Sequence, residues 1–191
     1  NRISPGAIIG NISVDCLLQA DEIFISPGVP LGHEAVSMAR ASGKILHGDV
    51  QLFGELATAP IIGITGTNGK STVSSFVFEL IRDQGKNVSL AGNIGTPCLD
   101  VLTVDVDFHV LEISSYQLEL ATAMKTEISV VLNLVPDHMD RYGNEQDYYR
   151  TKLGLYDNAK RAVINRSMSD DLGSANSAAT FGSDMLPGEN N

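Results

Sequence analysis

Cysteine is scarce in this sequence. Cys16 and Cys98 are the only two, far apart and without CxxC or histidine spacing around them, which excludes a zinc ribbon or a disulfide framework. A reducing cytoplasm is the expected compartment. Positive charge is scarce too: 13 Lys and Arg stand against 23 Asp and Glu, a formal charge of −10. Nucleic-acid binding depends on clustered cations, so that partner is not expected. No apolar run is long enough to cross a bilayer, and no basic segment followed by an apolar stretch opens the chain. It begins on Asn1 and is expected to be a piece of a longer protein.

What remains is a globular composition. Over 191 residues, 43% are hydrophobic and 19% charged, enough to bury a core. Short β-rich runs alternate with runs of helical period from residue 22 onward. Strands are expected at 22–26, 44–47, 61–65, 88–91, 108–113, 128–132 and 162–165. Helices are expected at 34–41, 50–57, 71–84, 96–102 and 146–159. The alternation predicts an α/β fold with a doubly wound, mostly parallel sheet. Pro60 cannot continue the helix before it, so a domain junction is expected at Thr58-Ala59-Pro60, dividing the chain into 1–59 and 60–191. After residue 165 the pattern weakens, leaving one apolar run at 178–181. No internal repeat is present.

The segment Ile61–Thr65 is an apolar strand, followed by Gly66-Thr67-Asn68-Gly69-Lys70-Ser71-Thr72. Strand, glycine turn and helix start together form a phosphate-cradling loop: backbone N–H groups face an anion at the positive helix end, Lys70 neutralises terminal phosphates and Ser71 can hold Mg²⁺. The loop is a variant, because Ile64 stands where the first glycine of G-x-x-x-x-G-K-[ST] falls. The following helix is expected to turn Val73, Phe76, Val77, Leu80 and Ile81 inward.

Two further strands end in chemistry. Glu112 closes the strand at 108–113, where a carboxylate oxygen suits Mg²⁺, although a Glu at a strand end is by itself an ordinary surface residue. The run Asn133-Leu134-Val135-Pro136-Asp137-His138-Met139-Asp140-Arg141-Tyr142 follows the strand at 128–132, reaching the same edge. Lys152, on the helix beyond, is by composition alone an exposed lysine. Gly92-Asn93-Ile94-Gly95-Thr96-Pro97 and Ser26-Pro27-Gly28 read locally as turns.

The loop GTNGKST, the string DHMDRY and the turn GNIGTP together resemble the Mur ligase family, in its D-glutamate-adding branch, over roughly residues 14 to 182. The resemblance implies a reaction in which ATP phosphorylates the terminal carboxylate of UDP-N-acetylmuramoyl-L-alanine and D-glutamate attacks the acyl phosphate. It implies that Gly66, Thr67, Asn68, Gly69, Lys70, Ser71 and Thr72 hold ATP, and that Ser71 and Glu112 bind one Mg²⁺. His138 and a carbamylated Lys152 would bind a second, and Lys70, His138 and Lys152 would be catalytic. Asn93 would contact substrate; Ser114, Ser115 and Gln117 would line the muramoyl end; Ser26, Pro27 and Gly28 would hold the uridine nucleotide. By the same resemblance residues 1–59 end a uridine-binding domain, 60–191 begin the ATP-binding domain, the acceptor domain lies outside the sequence, and the enzyme is a monomer. Another Mur ligase, a folylpolyglutamate synthase and a non-catalytic nucleotide-binding module are the alternatives.

Overall fold

The computed structural model describes residues 7, 10–171 and 178–182. They fall into two compact units, one ending at His47 and the other starting at Gly48.

In the first unit, Ser13 caps α1 (Val14–Gln19), its hydroxyl accepting from Cys16 N. β1 (Ile23–Phe24) and β2 (Leu46–His47) pair in parallel around α2 (Glu34–Ala41), which buries Ala35, Val36 and Ala39. Both strands are shorter than expected. After Ile25 the chain turns at once, with Val29 N donating to Ser26 O at 3.0 Å, and two strands alone offer a short ladder.

The second unit begins with α3 (Asp49–Leu56) and continues through β3 (Ile61–Thr65), α4 (Lys70–Asp83), β4 (Val88–Gly92) and β5 (Phe108–Glu112). It goes on to α5 (Ser115–Leu118), β6 (Thr126–Val131), α6 (Glu145–Leu153), β7 (Ala159–Asn165) and β8 (Ala178–Phe181). The six strands β4-β5-β3-β6-β7-β8 form one sheet, every neighbour parallel. A parallel sheet is covered on both faces, and β3 is accordingly buried at all five positions. Alternation sends Ile61 toward Val50, Phe53, Leu111 and Ile113 on one face. Ile62 and Ile64 point to the other face, with Val110 and Leu132 under Val73, Val77 and Ile81 of α4. This is the doubly wound α/β fold.

The compact units divide ahead of Pro60, between His47 and Gly48, because α3 puts Val50 and Phe53, both fully buried, into the core of the large sheet. Three expectations need correction. The inward stripe of α4 is narrower than expected: Val73, Val77 and Ile81 repeat every four residues, while Phe76 and Leu80, one step of about 100° away, are exposed. The helix expected at 96–102 is only a 3₁₀ turn, Cys98–Val101, since Thr96 is taken by a bridge to Ala91 and Pro97 stays extended. The helix expected at 146–159 ends at Leu153; Gly154–Tyr156 form a 3₁₀ turn, and Ala159 already pairs with Thr126. The run at 178–181 is an edge strand, and α1 and α5 are additions. Among the described residues no helix is long and apolar enough to cross a membrane.

Candidate active site

In the sheet order, β5 lies on one side of β3 and β6 on the other. Connections leaving the ends of β3 and β6 diverge there, and such a switch point opens a crevice for ligands beyond the carboxyl ends of the strands. The glycine loop leaves β3 into it.

That loop is held from β6. Thr67 N donates to Asn133 O at 3.1 Å, Asn68 N to Asn133 Oδ1 at 2.9 Å, and Asn133 Nδ2 returns a bond to Asn68 O at 3.0 Å. The Thr67 hydroxyl donates to Val135 O and accepts from Val135 N. Its one proton being spent, it accepts a third bond, of 3.1 Å, from the Tyr148 hydroxyl of α6. Gly66 leaves no room for a side chain, as a Cβ there would lie 2.9 Å from Leu132 Cβ.

The start of α4 is different. Its N-cap is Gly69, with no side-chain cap, so the N–H groups of the first turn have neither an in-helix partner nor a capping side chain. They concentrate the positive end of the helix dipole on the crevice. Lys70 Nζ lies across the loop, donating to Gly66 O and Thr67 O at 3.0 Å each. The part of the loop suited to an anion is therefore Gly69 to Thr72 with Lys70. Thr67 and Asn68, expected among the nucleotide-holding residues, are engaged in fixing the loop's shape.

Lys152 is not the exposed lysine that composition suggests. It is 1% exposed, and its Nζ donates to Gly66 O at 2.9 Å and approaches Thr65 Oγ1 at 3.4 Å. Burial pushes its pKa from the ordinary 10.5 down to about 7, the charge of Lys70 pushes the same way, and Asp137 opposes both. The neutral amine is therefore well populated near neutral pH, held beside the phosphate loop.

Glu112 ends β5 in register with Ile64 of β3, and so reaches the same edge of the sheet. It is 1% exposed; Oε1 accepts from Asn93 Nδ2 at 2.8 Å, while Oε2 is buried without a protein partner. An orphaned buried carboxylate oxygen calls for a cation or a donor from a ligand. Asn93 is exposed, and its N–H also donates to Glu112 O at 2.8 Å. The turn before it requires glycine: Gly92 has φ +104°, and a Cβ would lie 2.3 Å from Glu112 O. Gly92→Ala is expected to lower stability by about 1–3 kcal/mol. A denaturant midpoint equal to that of the parent would show that the turn accommodates the methyl group.

His138 adopts a left-handed conformation, φ +56°. Its ring lies 4.9 Å from that of Tyr116 and 6.3 Å from that of Tyr148. Ser114 and Gln117 form a capping box on α5, and Gln117 Nε2 also donates to Asp49 Oδ2 at 2.8 Å. Ser115 is buried. Ser114 and Gln117 thus cap the start of α5. Ser26, Pro27 and Gly28 belong to the first unit, in a turn where Gly28 N donates to Ser26 Oγ at 3.4 Å.

The family model of the Mur ligase middle domain matches residues 64–184, more than half of the chain. The chain belongs to the Mur ligase family. A UDP-N-acetylmuramoylalanine–D-glutamate ligase of Pseudomonas syringae pv. tomato is 45% identical over 157 residues, covering 82% of this chain and 35% of that protein. The chain thus spans about a third of the length of such relatives. A solved UDP-N-acetylmuramate:L-alanyl-γ-D-glutamyl-meso-diaminopimelate ligase from Neisseria meningitides matches at TM-score 0.59 and 19% identity, over 88% of this chain and 60% of that one. E. coli FolC, solved with DHPP and ADP, matches at TM-score 0.52 and 16% identity, over 70% and 46%. These two likenesses concern the fold.

Within this Mur ligase chain, the described residues contain no group of three His, Cys, Asp or Glu side chains able to cage a metal by themselves. Mg²⁺ fits nonetheless, because it takes one or two protein oxygens and completes its shell with water and phosphate. Glu112 Oε2 is such an oxygen, and Ser71 stands in the exposed first turn of α4. Sequence reasoning missed Asn133 and Tyr148. Tyr148 carried a signal, since it lies one helical turn before Lys152 and so shares its face. Asn133 carried a weaker one, as the first polar residue past the buried end of β6.

Proposed function

We propose that this chain is the phosphate-binding part of a ligase that joins D-glutamate to UDP-N-acetylmuramoyl-L-alanine at the expense of ATP. The observation that carries the reading is the crevice itself, where the uncapped start of α4, Lys70, the buried Lys152 with its lowered pKa and the bare oxygen of Glu112 meet the carboxyl edge of the sheet. In the reaction the substrate's terminal carboxylate takes the γ-phosphoryl group, and the amine of D-glutamate displaces phosphate from the acyl phosphate to form the amide.

Lys70 and the N–H groups of Gly69 to Thr72 would stabilise charge on the transferring group from a fixed geometry. Ser71 and Glu112 would hold Mg²⁺, His138 and a modified Lys152 would hold a second ion, and the metal would supply charge neutralisation on the phosphates. The Lys152 amine can add to CO₂, forming an N–C bond and losing a proton to give a carbamate; only the neutral amine does so, which its burial favours. Asn93 holds Glu112 from the exposed side, where it can also meet substrate. The first unit, with its Ser26-Pro27-Gly28 turn, would hold the uridine nucleotide.

The choice of D-glutamate rests on the 45% identity with a D-glutamate ligase and on DHMDRY and GNIGTP. The fold alone is shared with another Mur ligase type and with FolC. The deciding experiment incubates the full-length protein with ATP, Mg²⁺, UDP-N-acetylmuramoyl-L-alanine and a mixture of D-glutamate, L-alanine and L-lysine, and identifies the product by mass spectrometry. Addition of D-glutamate is expected. Addition of another amino acid would place the protein on a different branch, and ATP binding without any product would make it a binding module.

A further inference from the structure

Left-handed backbone at a residue with a Cβ costs about 1–2 kcal/mol and persists only where the surroundings over-determine it. Among the described residues His138 is the one non-glycine residue with positive φ. Asp137 Oδ1 accepts from His138 N at 2.8 Å, and the further contacts that hold it lie on its own turn and on the end of α5. His138 O accepts from Arg141 N at 2.9 Å and from Tyr142 N at 3.1 Å, so residues 138–142 form one tight turn. The Arg141 side chain then anchors that turn. Its Nε donates to Glu119 Oε1 at 2.9 Å and its Nη2 to Glu119 Oε2 at 2.7 Å, a two-pronged pair whose side chains are only 9% and 12% exposed. The same guanidinium lies 4.1 Å from the centre of the Tyr116 ring, and that ring is the one against which the His138 imidazole rests.

We infer that Arg141, gripping Glu119 and Tyr116, is a positioning residue that fixes His138 in its left-handed conformation beside Tyr148 and the phosphate loop. Its role in turnover rests on the ligase reading proposed above; its grip on His138 does not. A fork of planar donors is required, because a lysine at this place keeps the charge but cannot bond both carboxylate oxygens in the same plane while covering the ring. Met139 and Asp140, inside the turn, are exposed and hold nothing comparable in place.

The test uses two variants, Arg141→Lys and Glu119→Gln, which loosen the grip from either end. NMR couplings that report the sign of φ are measured at His138 in each, alongside kcat, KM for ATP and the thermal midpoint of the full-length protein. Both variants are expected to lose the positive φ and to lower kcat about 10–100-fold, as removal of a partner that orients a metal-ligating histidine does. KM for ATP should stay within about twofold, since the phosphate loop is held separately by Asn133 and Val135. A merely structural loss would lower the thermal midpoint without separating kcat from KM. Positive φ retained at His138 in both variants overturns the inference, whatever happens to turnover. So does a lost φ with unchanged kcat, provided that His138→Ala itself costs turnover. If His138→Ala costs nothing while φ responds as expected, the grip stands and the ligase role of His138 falls.

Discussion

Lys70→Ala is expected to lower ATP-dependent turnover of the full-length protein by about 10²–10³-fold with the fold unchanged. Lys70 is partly buried at the mouth of the loop and lies outside both core clusters; among the described residues its ammonium bonds to the carbonyls of Gly66 and Thr67. In the variant Gly66 O keeps its bond from Lys152 and Thr67 O is left to water, so the cost to stability is small. The cost to catalysis is large, because charge developing on a transferring phosphoryl group would lose the cation fixed beside it. Lys70→Arg retains a charge but not the length or point geometry that fits two loop carbonyls, and is expected to recover only part of the loss. Steady-state ATP hydrolysis coupled to amide formation, with circular dichroism to verify folding, measures both. A folded alanine variant with parental turnover would remove Lys70 from the site.

Lys152 gives the second large effect, in two independent forms. If its neutral amine is converted to a carbamate, Lys152→Ala should lose at least about 100-fold in turnover, and added formate or acetate should restore part of it by occupying the vacated space. A lysine with a purely structural role would not respond to a carboxylate. The other form concerns stability. In CO₂-free buffer the native amine has a pKa of about 7 against 10.5 for an ordinary lysine. Between those values the unfolded chain binds a proton that the native state lacks, so stability rises with pH across that window. Below pH 7 both states carry the proton, and the native state bears the full cost of burying it. Lys152→Met should therefore be more stable than the parent at pH 6, by a margin of a few kcal/mol that narrows toward pH 10. A margin independent of pH would show that the buried amine is not destabilised in its charged form.

Much of the fold was legible because parallel strands buried on both faces read as continuous apolar runs. Ile61–Thr65 and Phe108–Glu112 show this, and the structure places them side by side at the centre of the sheet. Boundaries were less legible where a tertiary contact overrules local preference. Thr96 leaves its expected helix for a bridge to Ala91, and α3 packs on the sheet despite the proline break after it. The glycine loop and its lysine were legible from spacing alone. The burial of Lys152 was not, since its neighbours Gly66 and Thr65 are more than eighty residues away in the chain. The same holds for Asn133 on Asn68 and Tyr148 on Thr67, whose partners are set by the adjacency of β3 and β6 rather than by any local pattern. Arg141 stands inside the string DHMDRY, yet its partner Glu119 caps the end of a short helix that the sequence did not announce.

The most direct test of the phosphate site is a titration of the 191-residue chain with ATP and Mg²⁺ followed by amide NMR. The amides of Gly69, Lys70, Ser71 and Thr72 should shift most, those of Thr67 and Asn68 less because they already donate to Asn133, and the Lys70→Ala chain should show the response at much higher ATP concentration. Shifts centred elsewhere on the sheet, or none at millimolar ATP, would contradict the assignment of the β3–β6 crevice as the place where the triphosphate binds.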